Sequence, residues 1–169
     1  MAVPVIVVMG VSGAGKSRIG RALAEALQVP FIEGDELHPP RNVALMAAGT
    51  PLTDADRSGW LDAIAQRLAQ AAGQGGAVVS CSALKRAYRD RLRAAAPALR
   101  LVHLHGEPAL LSSRMQARAG HYMPPSLLQS QFDTLEPPQA DEHAIRGDAA
   151  EPPEALVARI AEALAEGVR

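Results

Sequence analysis

Short apolar runs alternate with longer amphipathic stretches along the whole of this 169-residue chain. The first run, residues 3–9, is a block of small apolar side chains and reads as a strand buried on both faces. Residues 17–27 read as a helix and Gln28-Val29-Pro30 as a turn. Phe31-Ile32 begins a short second strand ending at Glu33-Gly34-Asp35, and a polar, proline-stiffened connection (residues 36–42) leads into a helix over about 43–48. After a turn at 49–53, Thr53 or Asp54 caps a helix reaching about residue 72, with Leu61, Ile64, Ala65 and Leu68 on one face. A loop at 73–76 precedes a third strand at 77–81 and a helix at 86–95; residues 99–105 are the fourth strand.

Glu107-Pro108 opens a helix through Arg114 and Arg118 that breaks at residues 119–125. Ser126 caps a further helix carrying Leu127, Leu128, Gln131 and Phe132, ended by Pro137-Pro138. Ala144-Ile145 is a weak fifth strand, and residues 153–165 form a closing amphipathic helix. In an open parallel sheet built from such alternation, groups at the carboxyl ends of the strands face the ligand crevice. No repeat, low-complexity segment or linker divides the chain, so residues 1–169 are expected to be one domain.

The turn after the first strand carries the chemistry. Gly10-Val11-Ser12-Gly13-Ala14-Gly15-Lys16-Ser17 fits the phosphate-loop pattern G-x-x-x-x-G-K-[ST] without a mismatch. Glycines let successive backbone N–H groups turn inward around phosphate oxygens, with Gly10, Ser12, Gly13, Ala14 and Gly15 supplying the cradle. Lys16 carries a mobile charge to the β- and γ-phosphates, and the Ser17 hydroxyl is a ligand for Mg²⁺. A helix N-terminus follows the loop and faces the anion. A nucleoside triphosphate is the ligand this pattern calls for.

Composition narrows the picture. Hydrophobic content of 48% and a net charge of −1 describe an ordinary globular protein with no electrostatic case for nucleic acid or an anionic membrane. The single cysteine, Cys81, makes no internal disulfide and reads as a small buried filler. No apolar stretch reaches the roughly 20 residues that span a bilayer, and no charged region precedes the first run, so the cytoplasm is expected. Only Lys16 and Lys85 among 17 basic residues are lysines. A compact point charge is thus kept inside the phosphate loop, and Lys85 reads as a second chosen lysine.

Other candidates line up with the strand ends. Glu33 and Asp35 stand two apart on a strand and so point to one side. Near a triphosphate they position Mg²⁺ or accept a proton from an attacking hydroxyl; the plainer alternative is a solvated acid pair. Asp54 and Asp56 suit a helix N-terminus, whereas Arg57 opposes the dipole there and fits an anionic ligand better. Arg114 and Arg118 lie one turn apart beside a glycine- and proline-rich interruption, the pattern of a closing lid. His103 and His105 share a strand face but have no third ligand in sequence, and read as strand-end polar groups.

Several segments together resemble the gluconate kinase family, small phosphate-loop kinases related to shikimate and nucleoside monophosphate kinases. They are residues 10–17; Glu33-Gly34-Asp35 with Leu37-His38-Pro39 and Arg41-Asn42; and Gly49-Thr50-Pro51-Leu52 with Asp54, Asp56-Arg57 and Trp60-Leu61. Further on come Cys81-Ser82-Ala83-Leu84-Lys85 with Tyr88-Arg89, Arg114 with Arg118, Gly120-His121, and Gln131-Phe132 with Leu135-Glu136. The resemblance implies a five-stranded parallel α/β sheet with helices on both faces, a substrate-binding helical segment at about 36–70 and a lid at about 114–135. It also implies ATP- and Mg²⁺-dependent phosphorylation of D-gluconate at the 6-hydroxyl, often by a homodimer. In that scheme Lys16, Asp35 and Arg118 are catalytic, and Arg114 and Arg118 close over the phosphates. Ser17 and, through water, Glu33 hold the metal, while Asp35, His38, Arg41, Arg57, Lys85, His121 and Gln131 face the sugar acid. The family's apolar fifth strand is replaced here by Ala144-Ile145-Arg146-Gly147-Asp148, which leaves its extent open. Other readings are a kinase of another small hydroxy acid such as shikimate, a regulatory NTPase switch, or an ATP-binding relic. Against the switch, no Asn/Thr-Lys-x-Asp segment for guanine is present.

Lys16→Met is expected to remove most of the turnover and leave the fold intact, because no neighbouring lysine replaces its charge. Steady-state rates beside circular dichroism check it; near-normal kcat in a folded variant contradicts it.

Overall fold

The computed structural model describes residues 4–117 and 126–167. Five strands form one sheet: β1 (Val5–Met9), β2 (Phe31–Glu33), β3 (Ala77–Ser80), β4 (Arg100–His105) and β5 (Ile145–Asp148). Their order is β2-β3-β1-β4-β5, and each neighbouring pair is parallel. The helices are α1 (Lys16–Leu27), α2 (Pro40–Ala47), α3 (Asp54–Ala72), α4 (Arg86–Ala95), α5 (Pro108–Ala117), α6 (Ser126–Thr134) and α7 (Pro153–Gly167).

The expected layering holds because β1 alternates between two cores. Ile6 and Val8 join Leu23 of α1 and Leu156, Ile160 and Leu164 of α7 on one face. Val5, Val7 and Met9 join Trp60, Leu61, Ile64 and Leu68 of α3 and Leu92 of α4 on the other. Each such aliphatic side chain, fully buried, contributes about 1.5–3 kcal/mol. Among the described residues no helix is long and apolar enough to cross a membrane.

Several boundaries follow local chemistry. Thr53 caps α3 through a reciprocal box: its hydroxyl accepts from the Asp56 N–H at 3.1 Å, and the Asp56 carboxylate accepts from the Thr53 N–H at 2.9 Å. The helix after His38 begins earlier than expected, since Pro40 takes its first position, where a missing N–H costs nothing. The fifth strand is longer than Ala144-Ile145, pairing Ile145–Asp148 with β4. Its polar sequence is tolerated because it is an edge strand, with Arg146 exposed and Gly147 packed under Leu156.

One sequence expectation is corrected. Glu33 and Asp35 are not a same-side strand pair, because β2 stops at Glu33 and Gly34–Leu37 is a 3-10 turn. The ladder runs out where Glu33 pairs with Ser80, the last residue of β3. There Gly34 lies so close to the Ser80 carbonyl that a Cβ would sit 2.0 Å from its oxygen. The turn sends Asp35 toward the phosphate loop and Glu33 beneath it.

Arg89, 1% exposed, fixes the turn between β3 and α4 by donating to the Ala83 carbonyl at 2.9 Å and the Leu84 carbonyl at 3.3 Å. It also pairs with Glu142 at 2.6 Å, whose side chain is likewise 1% exposed. Burial alone raises the Glu142 carboxyl, but hydrogen bonds from Arg89, the Gln139 N–H and Arg93 outweigh it and hold the group at about 2. A carboxyl depressed from its ordinary 4.5 stabilises the fold fully above about pH 4.5 and loses that contribution as pH falls toward 2. Arg89→Met, which leaves Glu142 buried with Arg93 as its one remaining cation among the described residues, is expected to cost about 3 kcal/mol at pH 7 and less at pH 3. Urea unfolding at both pH values checks this; an equal loss at the two would refute it.

Candidate active site

The phosphate loop sits between β1 and α1, at the carboxyl edge of the sheet. Gly10 adopts φ +151° and presses on the Leu104 carbonyl of β4, where a Cβ would lie 2.5 Å from the oxygen. Only glycine permits that approach. Gly15, in the left-handed region, caps α1, whose first turn holds no acidic residue. The positive end of the helix is thus open to an anion. Lys16 Nζ donates to the Val11 carbonyl at 3.1 Å, and the Ser12 N–H donates to Gln131 Oε1 of α6 at 2.7 Å. The Gly10 N–H donates to the Ser82 carbonyl at 3.3 Å, tying the loop to the turn after β3.

Beneath the loop runs a chain of oxygen groups. Ser17 Oγ donates to one carboxylate oxygen of Glu33, and buried Ser80 Oγ donates to the other at 2.6 Å. The Gly34 N–H in turn donates to Ser80 Oγ at 3.2 Å. Glu33 is thereby held in place beneath Ser17 by Ser80, a residue to which sequence reasoning gave no role at the site. Its only signal was its place at the end of β3. Hard oxygen donors of this kind suit Mg²⁺, which keeps most of its waters and takes few protein ligands. No cluster of three or more His, Cys, Asp or Glu side chains that could hold a metal occurs among the described residues.

Two hollows open on this edge. The inner one is lined by His38, Arg57, Trp60 and Gln131, the outer one by Gly13, Ser17, Arg114 and the turn holding Ala149, Glu151 and Pro153. Ser12, Lys16 and Asp35 line both, so the hollows meet there. In the inner hollow His38 stacks on Trp60, ring centroids 4.1 Å apart and planes 11° from parallel. Trp60 Nε1 donates to the Gly34 carbonyl at 2.8 Å, so the stack is tied to the turn that places Asp35. Burial lowers the His38 imidazole to about 4, with Asp35 opposing and Arg57 assisting the shift, so at neutral pH it offers hydrogen bonds rather than charge. Arg57 Nη1 donates to the Tyr88 hydroxyl at 3.0 Å.

Two residues expected at the substrate side stand elsewhere. Arg41 is 76% exposed and paired with Asp56 at 3.2 Å. Lys85 Nζ reaches both carboxylate oxygens of Asp54, at 3.0 and 3.3 Å. Neither is among the residues lining the two hollows. The acids that begin α3 draw both cations to the helix end. Arg118 and His121 lie outside the described residues, as does the centre of the expected lid. Cys81 is buried, its thiol pushed up to about 12, as suits a filler. His103 is buried within β4 and lowered to about 4, chiefly by burial, rather than standing at a strand end.

A parallel sheet in this strand order, a phosphate loop after its central strand and a second hollow meeting it at Lys16 define a phosphate-loop kinase of small molecules. Residues 5–138 match the AAA domain family. The chain is 50% identical over 142 residues to the gluconokinase of Gluconobacter oxydans (strain 621H), covering 83% of this chain and 80% of that protein. It is 41% identical over 165 residues to the thermoresistant gluconokinase of Escherichia coli (strain K12), covering 96% and 94%. Among solved structures, a gluconokinase from Sinorhizobium meliloti 1021 superposes with a TM-score of 0.85 at 50% identity, over 99% of this chain and 98% of that one. An APS kinase from Mycobacterium tuberculosis, at 17% identity and a TM-score of 0.70 over 98% and 99% of the two chains, shares the fold. The chain belongs to the gluconokinase family.

Proposed function

We propose that this protein transfers the γ-phosphoryl group of ATP to the 6-hydroxyl of D-gluconate, giving 6-phospho-D-gluconate. The observation that carries the reading is the meeting of two hollows at Lys16 and Asp35, one lined by the phosphate loop and the other by His38, Arg57 and Gln131. The relatives matched over most of the chain are gluconokinases, which supports the choice of acid.

In phosphoryl transfer the protein mainly positions groups and neutralises charge. The loop N–H groups and Lys16 hold the phosphates, and the outer hollow takes the nucleoside end against Ala149 and Pro153. Arg114 and Arg118 close over the phosphates with the lid, residues 114–135. Mg²⁺, when bound, neutralises phosphate oxygens; Ser17 Oγ would hold it directly and Glu33 through water. Asp35 hydrogen-bonds the 6-hydroxyl and takes its proton. His38, Gln131 and His121 bond the sugar hydroxyls, and Arg57 pairs with the carboxylate. Arg41 and Lys85 act behind these groups, through the acids they neutralise. The same reading, following the family resemblance, makes the protein a cytoplasmic homodimer.

A coupled assay of ADP release with gluconate, shikimate and nucleoside monophosphates tests the substrate. Gluconate is expected to exceed the others by on the order of 100-fold in kcat/KM, because groups built for one hydroxyl pattern are left unpaired by another. Equal rates, or full turnover without any acceptor, would overturn it. Asp35→Asn is expected to lower kcat on the order of 100-fold while calorimetry finds ATP affinity nearly unchanged, since only the proton-accepting charge is lost. Lost ATP affinity with unaltered kcat would move Asp35 to the metal.

A further inference from the structure

Arg57 is oriented by a group that carries no charge. Its guanidinium donates to the Tyr88 hydroxyl at 3.0 Å and lies 5.7 Å from the centre of the Tyr88 ring. The hydroxyl spends its own proton on the Asp54 carboxylate, which leaves a lone pair for Arg57. Asp54 is also held by Lys85, whose Nζ contacts both carboxylate oxygens, one of them the oxygen that accepts from Tyr88. Tyr88 is buried at 6% exposure on α4, while Asp54 and Arg57 share the first turn of α3, so one phenol bridges two helices.

The order of these groups matters. A carboxylate bonded directly to Arg57 would neutralise it, whereas a phenol fixes its direction and leaves its charge for a ligand. Lys85 offsets Asp54, so the acid behind the phenol does not cancel the guanidinium from a distance. We propose that Tyr88 is a positioning residue for Arg57, backed by Asp54 and Lys85, and that this relay sets the preference for an acid over a neutral polyol. The proposal rests on the reading of the inner hollow as the gluconate subsite.

The test is a double-mutant cycle of Tyr88→Phe and Arg57→Gln, assayed with gluconate and with the hexitol in which CH₂OH replaces the carboxylate. Tyr88→Phe is expected to raise the KM for gluconate on the order of tenfold, with kcat changed less than about twofold and the KM for ATP unmoved. The hexitol should be unaffected, and in the Arg57→Gln background Tyr88→Phe should have no further effect on gluconate. Lys85→Met should shift the gluconate KM in the same direction but less, and Lys85→Arg should restore it, because arginine also reaches a carboxylate. With a side chain 32% exposed, Lys85 carries the test even where Tyr88→Phe does not fold. An undiminished Tyr88→Phe effect in the Arg57→Gln background, an equal rise in the KM for ATP, or failure of Lys85→Arg to rescue would overturn the relay. Wild-type protein that does not turn over gluconate overturns the substrate reading, and this is seen before any variant is compared.

Discussion

Because all four strand pairings are parallel, every strand releases its chain at the same edge of the sheet, and the site depends on that constraint. β1 delivers the phosphate loop there, β2 delivers Glu33 and then Asp35, and β3 delivers Ser80 and Ser82. The groups that different strands deliver lie far apart in sequence. Their juxtaposition is maintained by a ladder buried between two apolar layers, a part of the chain that opens only at a cost near that of global unfolding. The chemistry is therefore placed by the most rigid part of the molecule, which accords with the narrow geometric tolerance of in-line transfer.

Backbone contacts carry this rigidity to the crevice. Gly10 is pinned against β4 by the Leu104 carbonyl and tied to the turn after β3 through Ser82. That turn is secured by Arg89 from below and by the Glu136 N–H, which donates to the Leu84 carbonyl at 2.7 Å. Glu136 also accepts from the Arg86 N–H at 2.9 Å, capping the start of α4. The segment leaving α6 is thus stitched to the same turn, and α6 itself reaches the loop through Gln131. The two hollows thus share walls that these hydrogen bonds tie together.

Much of this was legible. The limits of α3 and α4 were read correctly because each begins at a clear boundary, the Thr53 cap box and the break before Arg86. The phosphate loop declared itself by pattern, and the apolar runs gave the strands, because burial on both faces leaves no polar alternation to misread. What failed was anything decided by tertiary contact. The end of β2 depended on where β3 stopped pairing, which no periodicity records. Ser80 is unremarkable in sequence and acquires its role only when it meets Glu33 across the sheet. Lys85 stands out in sequence as one of two lysines, yet its partner lies 31 residues away at the start of another helix. Charge partners across helices leave no local signal.

The inner hollow shows what these partnerships accomplish together. Among the described residues its charged side chains are Lys16, Arg57 and Asp35, and His38 is neutral at physiological pH because burial holds its imidazole at about 4. Two cations against one carboxylate leave a surplus of one positive charge, which suits an acid whose single negative charge must enter beside a triphosphate. That surplus survives only because the other acids nearby are already engaged. Asp56 is committed to the Thr53 cap and to Arg41, and Asp54 to Tyr88 and Lys85. Had either carboxylate turned to Arg57, the described side chains of the hollow would carry no net charge, and the proposed preference for an acid over a polyol would be lost. In the proposed relay, the cations lying outside the crevice serve the chemistry inside it by occupying the acids that would otherwise face Arg57.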